Sequence, residues 1–237
     1  MLAAVIARWL RKPPRSRSSS ERRIVSLSRR RTVLILASIT TACTSVPDGP
    51  RPTVAALTFA TVPVCYDYGC RTRASFTVRG EYRRALEDLF TPPAGDAVEE
   101  RQRIRAAIAL LETAAGEQTP IHRDRGGNPW NQRGAGRMDC IDESINTTVF
   151  LRLLAQHDML QWHRVEDRAY RAPRILDQHF AAQITEIATG TRYAVDSWHL
   201  DNGHPPFVQR LEDWSSKRAF DTALNPPLSP HSTPDDP

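Results

Sequence analysis

Residues 139 to 154, DCIDESINTTVFLRLL, constrain the fold of this chain more than any other stretch. Asp139 has the character of a helix N-cap with Asp142 three positions on, so the spacing predicts a helix that opens at Cys140. Ile141, Ile145, Val149, Phe150, Leu153 and Leu154 then cover much of its circumference, and a helix that is apolar on most sides must be central and buried. The core is therefore built around a helix with a cysteine in its first turn. There the helix dipole and the free backbone amides favour a thiolate, and the Cys140 amide is itself available as an oxyanion donor. Asp139, Asp142 and Glu143 act the other way, because their charges raise the thiol pKa. A nucleophilic Cys140 thus needs an imidazolium nearby. Ser144, one turn further on the same stripe, can either line a site or serve as a small residue in close helix packing.

Around this helix the pattern is orderly. A strand is expected at Ala74 to Val78. Tyr82, Leu86, Leu89 and Phe90 recur at helical spacing and stop at Pro92-Pro93. A second helix is expected from about Asp96 to Ala115, with Asp96 and Glu99 as a capping pair, Val98, Ile104, Ile108 and Leu111 on its buried face, and Gly116 ending it. Neither of these two helices displays convergent chemistry. Residues 117 to 137 form a long loop rich in Gly, Pro and polar residues that leads to Cys140, and loops of this length are often functional. After Met159-Leu160 the pattern turns to strands. His179 opens a β-compatible run, Thr189-Gly190 signals a turn, and Tyr193-Ala194-Val195 precedes Asp196, which together read as an antiparallel hairpin. A two-residue turn at Thr189-Gly190 would pair Gln183 with Asp196 and leave His179 too far from that carboxylate to bond it. For the two to meet, the turn must centre earlier or a bulge must shift the register.

The formal charge of +5 over 237 residues invites a nucleic-acid reading, but it is unevenly spread. Residues 1 to 43 hold ten Arg and Lys against the single acid Glu21, which leaves residues 44 to 237 at −4. The basic character therefore belongs to the leader, and no nucleic-acid partner is expected. Within that leader, Arg29-Arg30-Arg31 precede the uncharged stretch Thr32 to Ala42, and Cys43 follows a small residue. This is the layout of an n-region, an h-region and a cleavage site, and the stretch is shorter than the roughly 20 residues needed to span a bilayer. Residues 1 to 24 make an unusually long n-region, which points to a translation start near Val25. On Ala42-Cys43 the segment resembles bacterial lipoprotein signal peptides, although Thr40 stands where an aliphatic residue is usual. The resemblance implies cleavage before Cys43 and its acylation. Thr44, in place of an Asp, resembles the sorting pattern of the outer membrane. The arginine run also resembles a twin-arginine export signal.

Export would put the remaining cysteines in an oxidising compartment. Cys65 and Cys70 flank a Tyr-Asp-Tyr-Gly turn close enough to be bridged, and Cys140 is then left free. Zinc at Cys65 and Cys70 lacks a second ligand pair at metal spacing. His199 and His204 with Asp201 between them match no common helical ligand pair, so neither a metal nor another cofactor is expected. His157 and His163 are expected on helix or strand surfaces, and Trp198, Trp214 and Phe207 in packing.

The order Cys140 in DCIDES, His179 in HFAAQITEI and Asp196 in VDSW is that of a thiol nucleophile, its base and an orienting carboxylate. From about Gly136 to Trp198 the chain resembles the transglutaminase-like superfamily, and the DCID element is similar to the bacterial transglutaminase-like cysteine peptidases. Phe180-Ala181 departs from the superfamily's small residue and then aromatic after the His. The resemblance implies an α+β, papain-like fold, with N-terminal helices and a buried nucleophile helix packed on a small antiparallel sheet. The implied organisation is a leader and signal peptide at 1–43, a tether at 44–57, a transglutaminase-like domain at 58–224 and a disordered tail at 225–237. It also implies an exported, membrane-tethered thiol hydrolase or acyltransferase that acts on amide or ester bonds of a protein, peptide or cell-envelope substrate. Trp130, Asn131 and Gln132 are all eligible as the upstream oxyanion side chain. The alternative is a non-catalytic, periplasm-facing lipoprotein that uses the same fold for binding or scaffolding.

Overall fold

The computed structural model describes residues 57–128, 134–172 and 178–228, which lie in one unit of the chain, Arg51–Pro237. The leader, Cys43, the oxyanion candidates Trp130, Asn131 and Gln132, and the last nine residues lie outside the described residues. The fold is α+β, and no described helix is long and apolar enough to cross a membrane.

The chain opens with an antiparallel hairpin of β1 (Val62–Tyr66) and β2 (Thr72–Phe76), of which β1 falls within a stretch that carried no strand expectation. Its turn is tight, with positive φ at Asp67, Tyr68, Gly69 and Cys70. The Cys65–Cys70 disulfide closes it, with Cα atoms 4.7 Å apart. Two helices follow, α1 (Gly80–Leu89) and α2 (Ala97–Gly116). Asp96 caps α2 by accepting from the Glu99 amide, whereas the Glu99 carboxylate reaches past Asp96 to the Gly95 amide. Ile104, Ile108 and Leu111 are fully buried as expected, but Val98 is 54% exposed. Ala97 and Glu100 on either side of it are buried, so Val98 lies on the outward face of a first turn that is already packed.

The helix α3 (Cys140–Gln156) crosses the centre of the domain and packs on β1 and on the sheet. It opens with the capping box expected of Asp139 and Asp142, so its first residue is Cys140. Its polar residues dock the first hairpin. Asn146 pairs with the Cys65 backbone at both ends, accepting from the amide at 2.7 Å and donating to the carbonyl at 2.9 Å. Asp142 accepts from the Tyr68 amide at 2.8 Å and the Cys70 amide at 2.5 Å.

The main sheet is antiparallel and has the order β3 (His163–Val165), β5 (His179–Glu186), β6 (Arg192–Asp196) and β7 (Phe207–Arg210). A further short strand, β4 (Ala169–Arg171), pairs with the His179 end of β5 while β3 pairs with its Glu186 end. Directly after β7 comes α4 (Leu211–Ser215), which buries Trp214 completely. Asn225, where the sequence places the start of a tail, both accepts from the Val208 amide and donates to its carbonyl, and so secures the far side of β7.

The interior joins α2, α3, the hairpin and the sheet through Ile108, Leu111, Phe150, Leu154, Ile184 and Val195, all with essentially no exposure. Phe76 meets the Phe150 ring edge-on, with centroids 5.9 Å apart. Burying each such side chain stabilises the fold by roughly 1.5–3 kcal/mol.

Candidate active site

Hairpin register decides whether the proposed triad can form. The β5–β6 pairing sets Ala182 against Val195 and Gln183 against Ala194, and Glu186 closes on Thr191 around residues 187–190. The turn thus centres one position earlier than Thr189-Gly190, one of the two ways the strands could bring the pair together. Continuing that register places Asp196 opposite Ala181, diagonal to His179 on the same face. His179 Nε2 lies 2.8 Å from Asp196 Oδ2, and both side chains are nearly inaccessible to solvent.

Three further groups converge on that carboxylate or ring. The Trp214 indole donates to Asp196 Oδ2 at 2.8 Å, and His199 Nε2 stands 3.5 Å from the same oxygen. Trp198 and Trp214 flank the His179 ring, with centroids 5.0 Å and 5.7 Å away. Burial pushes the Asp196 pKa up, but the hydrogen bond from His179 and the nearby His199 imidazole overturn that and hold it well below the usual carboxylate range. Asp196 is a charged anion in a dry, aromatic-walled recess, and such an anion persists only where donors meet it.

Cys140 is half-buried at the head of α3. Burial raises its thiol pKa, while hydrogen bonding from the Phe180 amide draws it down, and the charges of Asp139 and Asp196 raise it again. Phe180 is the residue after His179, so the sulfur lies against the first residues of β5. Among the described residues, no hydrogen bond joins the thiol directly to the imidazole. The three acids that the sequence sets against a thiolate are not equivalent. Glu143 is completely buried and its pKa is pushed well above the usual range, first by burial and then by Glu112 and Asp124. Burial likewise lifts Asp142 to about 7.

Sequence reasoning missed the participants supplied by distant elements. Trp214, expected in packing alone, also holds the Asp196 carboxylate. The second helix, which displays no chemistry in sequence, contributes Glu112 to a buried acidic group with Asp124 and Glu143. The same helix binds His163, which is buried and not on a surface: its Nδ1 lies 2.8 Å from Glu100 Oε1. Nothing local distinguishes a buried Glu or His from an exposed one on an amphipathic element. Ser144 is buried and donates to the Ile141 carbonyl. His204 lies at an exposed position near the Asp201 carbonyl and does not join His199. His199 instead groups with His179 and Asp196, one potential ligand atom of each lying within 4.8 Å of the others.

Comparison with protein-family models, with curated proteins and with solved structures finds no match for this chain.

Proposed function

We propose that this chain is a thiol hydrolase or acyltransferase of transglutaminase-like, papain-like architecture, with Cys140, His179 and Asp196 as its triad. One observation carries the reading: the buried His179–Asp196 pair, with its 2.8 Å contact, stands one residue from the Phe180 amide that draws on the Cys140 sulfur. By holding the proton on Nε2, Asp196 leaves Nδ1 as the basic nitrogen that takes the thiol proton. The thiolate then attacks an amide or ester carbonyl, and its π electrons move to an oxygen that accepts from the Cys140 amide. Collapse of this intermediate expels an amine or alcohol, to which the imidazolium returns the proton. Water or an acceptor amine finally resolves the thioester. Alkylation of Cys140 by iodoacetamide across pH tests the reading. A thiolate–imidazolium pair keeps reacting near pH 6, whereas a structural thiol reacts only as it titrates above about 8.5.

A second reading, a non-catalytic envelope lipoprotein with the same fold, is favoured by one observation. The thiol pKa is raised, and its hydrogen-bonding partner is the Phe180 amide and not the imidazole. The same pH profile separates the two.

For either reading we propose export and anchoring through an acylated Cys43 on the periplasmic side of a membrane, with the outer membrane preferred. The Cys65–Cys70 disulfide supports an oxidising compartment. Cys43→Ser should release the protein or leave it unprocessed, and an unchanged membrane fraction with unchanged mature mass would refute anchoring.

A further inference from the structure

A groove of about 360 Å³ runs along α3 from Ile145 to Arg152 and is lined also by Thr148, Val149, Arg168 and Phe180. The helical residues lie at spacings of three and four, which puts them on one face of α3. Phe180 also lines the groove, and its own amide is the one that meets the Cys140 sulfur, so this residue links the groove to the surroundings of the thiol, which is not itself a lining group. Its floor and walls are apolar at Ile145, Val149 and Phe180. Its charged side chains are two arginines and one acid.

The arginines differ in how they are held. Arg168 donates to Ser144 Oγ at 3.1 Å, and its guanidinium lies 5.1 Å from the centre of the Phe180 ring. Ser144 is one helical turn beyond Cys140, a rise of about 6 Å. The ring contact and the hydrogen bond fix the plane of the guanidinium, and among the described residues most of its five N–H donors are left for a ligand. Arg152 pairs with Asp167 at 3.1 Å, but the Asp167 side chain is 101% exposed, so water competes for that pair and a ligand carboxylate can displace it.

We infer that this groove is a binding subsite for acyl donors that carry a carboxylate at the end of a short aliphatic stem, with Arg168 as its specificity-determining residue. The stem lies on Ile145, Val149 and Phe180, and the carboxylate meets the Arg168 fork about one helical turn from the sulfur. The inference rests on the proposed thiol chemistry and names the substrate class for that site.

The test compares two maleimides of similar size, N-carboxyethylmaleimide and neutral N-ethylmaleimide, on the full chain. In both, the Cys140 sulfur bonds to one alkene carbon, the π pair moves to the other, and a proton from solvent completes the succinimide. The ratio of the carboxylate reagent's rate to the neutral reagent's rate should exceed that of N-acetylcysteine at the same pH by about fivefold or more. Arg168→Gln should return the ratio to the N-acetylcysteine value and Arg168→Glu should push it below, while Arg168→Lys retains part of it. Melting temperature reports whether each variant is folded, and the wild-type ratio decides the matter even if a variant is not. A wild-type ratio equal to that of N-acetylcysteine overturns the subsite and leaves the thiol reading intact. A Cys140 that reacts with neither reagent overturns both.

The source of the carboxylate is separated by protecting Cys140 with peptides. A glutamate-containing peptide with an amidated end tests side-chain carboxylates, and a neutral peptide with a free end tests terminal ones. Protection by either supports the subsite and identifies its source. Protection by neither overturns it.

Discussion

Trp214 donates its indole N–H to Asp196 Oδ2 at 2.8 Å, the same oxygen that His179 engages. Trp214 follows β7 on α4, is fully buried, and carries the Arg171 guanidinium 4.5 Å from its ring centre. Arg171 in turn donates to the Trp214 carbonyl. The indole therefore fixes the carboxylate that fixes the imidazole, and its ring keeps water away from that pair. Trp214→Phe keeps most of the ring and deletes the donor. It should cost about 1–3 kcal/mol in stability, read by chemical denaturation, and slow turnover severalfold with little change in KM.

Asp196→Asn offers the imidazole an amide that can present its NH₂ and stabilise the wrong tautomer. Turnover should fall by about a hundredfold or more, and alkylation of Cys140 should slow. Because Trp214 donates to that same oxygen, an NH₂ there also removes the indole's acceptor, so the fold should persist with a stability loss of about 1–3 kcal/mol. Loss of stability at unchanged alkylation would instead give Asp196 a purely structural role and remove it from the triad.

The buried acids Glu112 of α2 and Asp124 of the following loop should make stability fall as pH rises. Burial lifts Glu112 to about 8 and Asp124 to about 6, even though each accepts hydrogen bonds. Above the unfolded carboxylate range the folded state thus binds more protons than the unfolded state. The stability these protons contribute is complete below about pH 4.5 and is lost as pH rises through the folded values. The unfolding free energy read by chemical denaturation should drop between pH 5 and pH 9 by on the order of 3 kcal/mol. Glu112→Gln, which stays neutral, should flatten that profile, and an unaltered slope would exclude Glu112 as its source.

Asp196 has the opposite sign. Its pKa is depressed in the folded state, so its contribution is present above the unfolded value of about 3.9 and is lost only as pH falls below that. Acid unfolding of the wild type should therefore come late, and Asp196→Asn should shift its midpoint.

The disulfide turn is fastened to α3 through Asp142 and Asn146. Replacing both Cys65 and Cys70 by Ser should cost about 2 kcal/mol from the short loop released. It should also alter the alkylation rate of Cys140, because Asp142 sits in the same helical turn and loses its fixed donors. A rate identical to wild type would show that the turn acts on stability alone.

What the sequence determined by itself is local. The capping box at Asp139 and Asp142, the start of α3 at Cys140, the stop of α1 before Pro92 and the five-residue spacing of Cys65 and Cys70 depend on residues a few positions apart. Interactions of that range leave a readable pattern because the backbone itself sets their geometry. The order of Cys140, His179 and Asp196 was legible in the same way, down to the strand ends that present the last two.

The tertiary structure decided the rest. A hairpin turn moved by one position separates a His179–Asp196 pair that meets from one that misses, and Thr189-Gly190 belongs to the four-residue turn 187–190 without marking its centre in the sequence. Val98 faces outward and His163 inward because burial depends on which neighbours arrive, and these come from segments as distant as residues 100 and 163. Trp214 joins Asp196 only because β7 pairs with β6 and delivers α4 to the carboxylate. Contacts between residues far apart in the chain arise when whole elements bury their apolar faces together, and no single element records in its own sequence which partner it will meet.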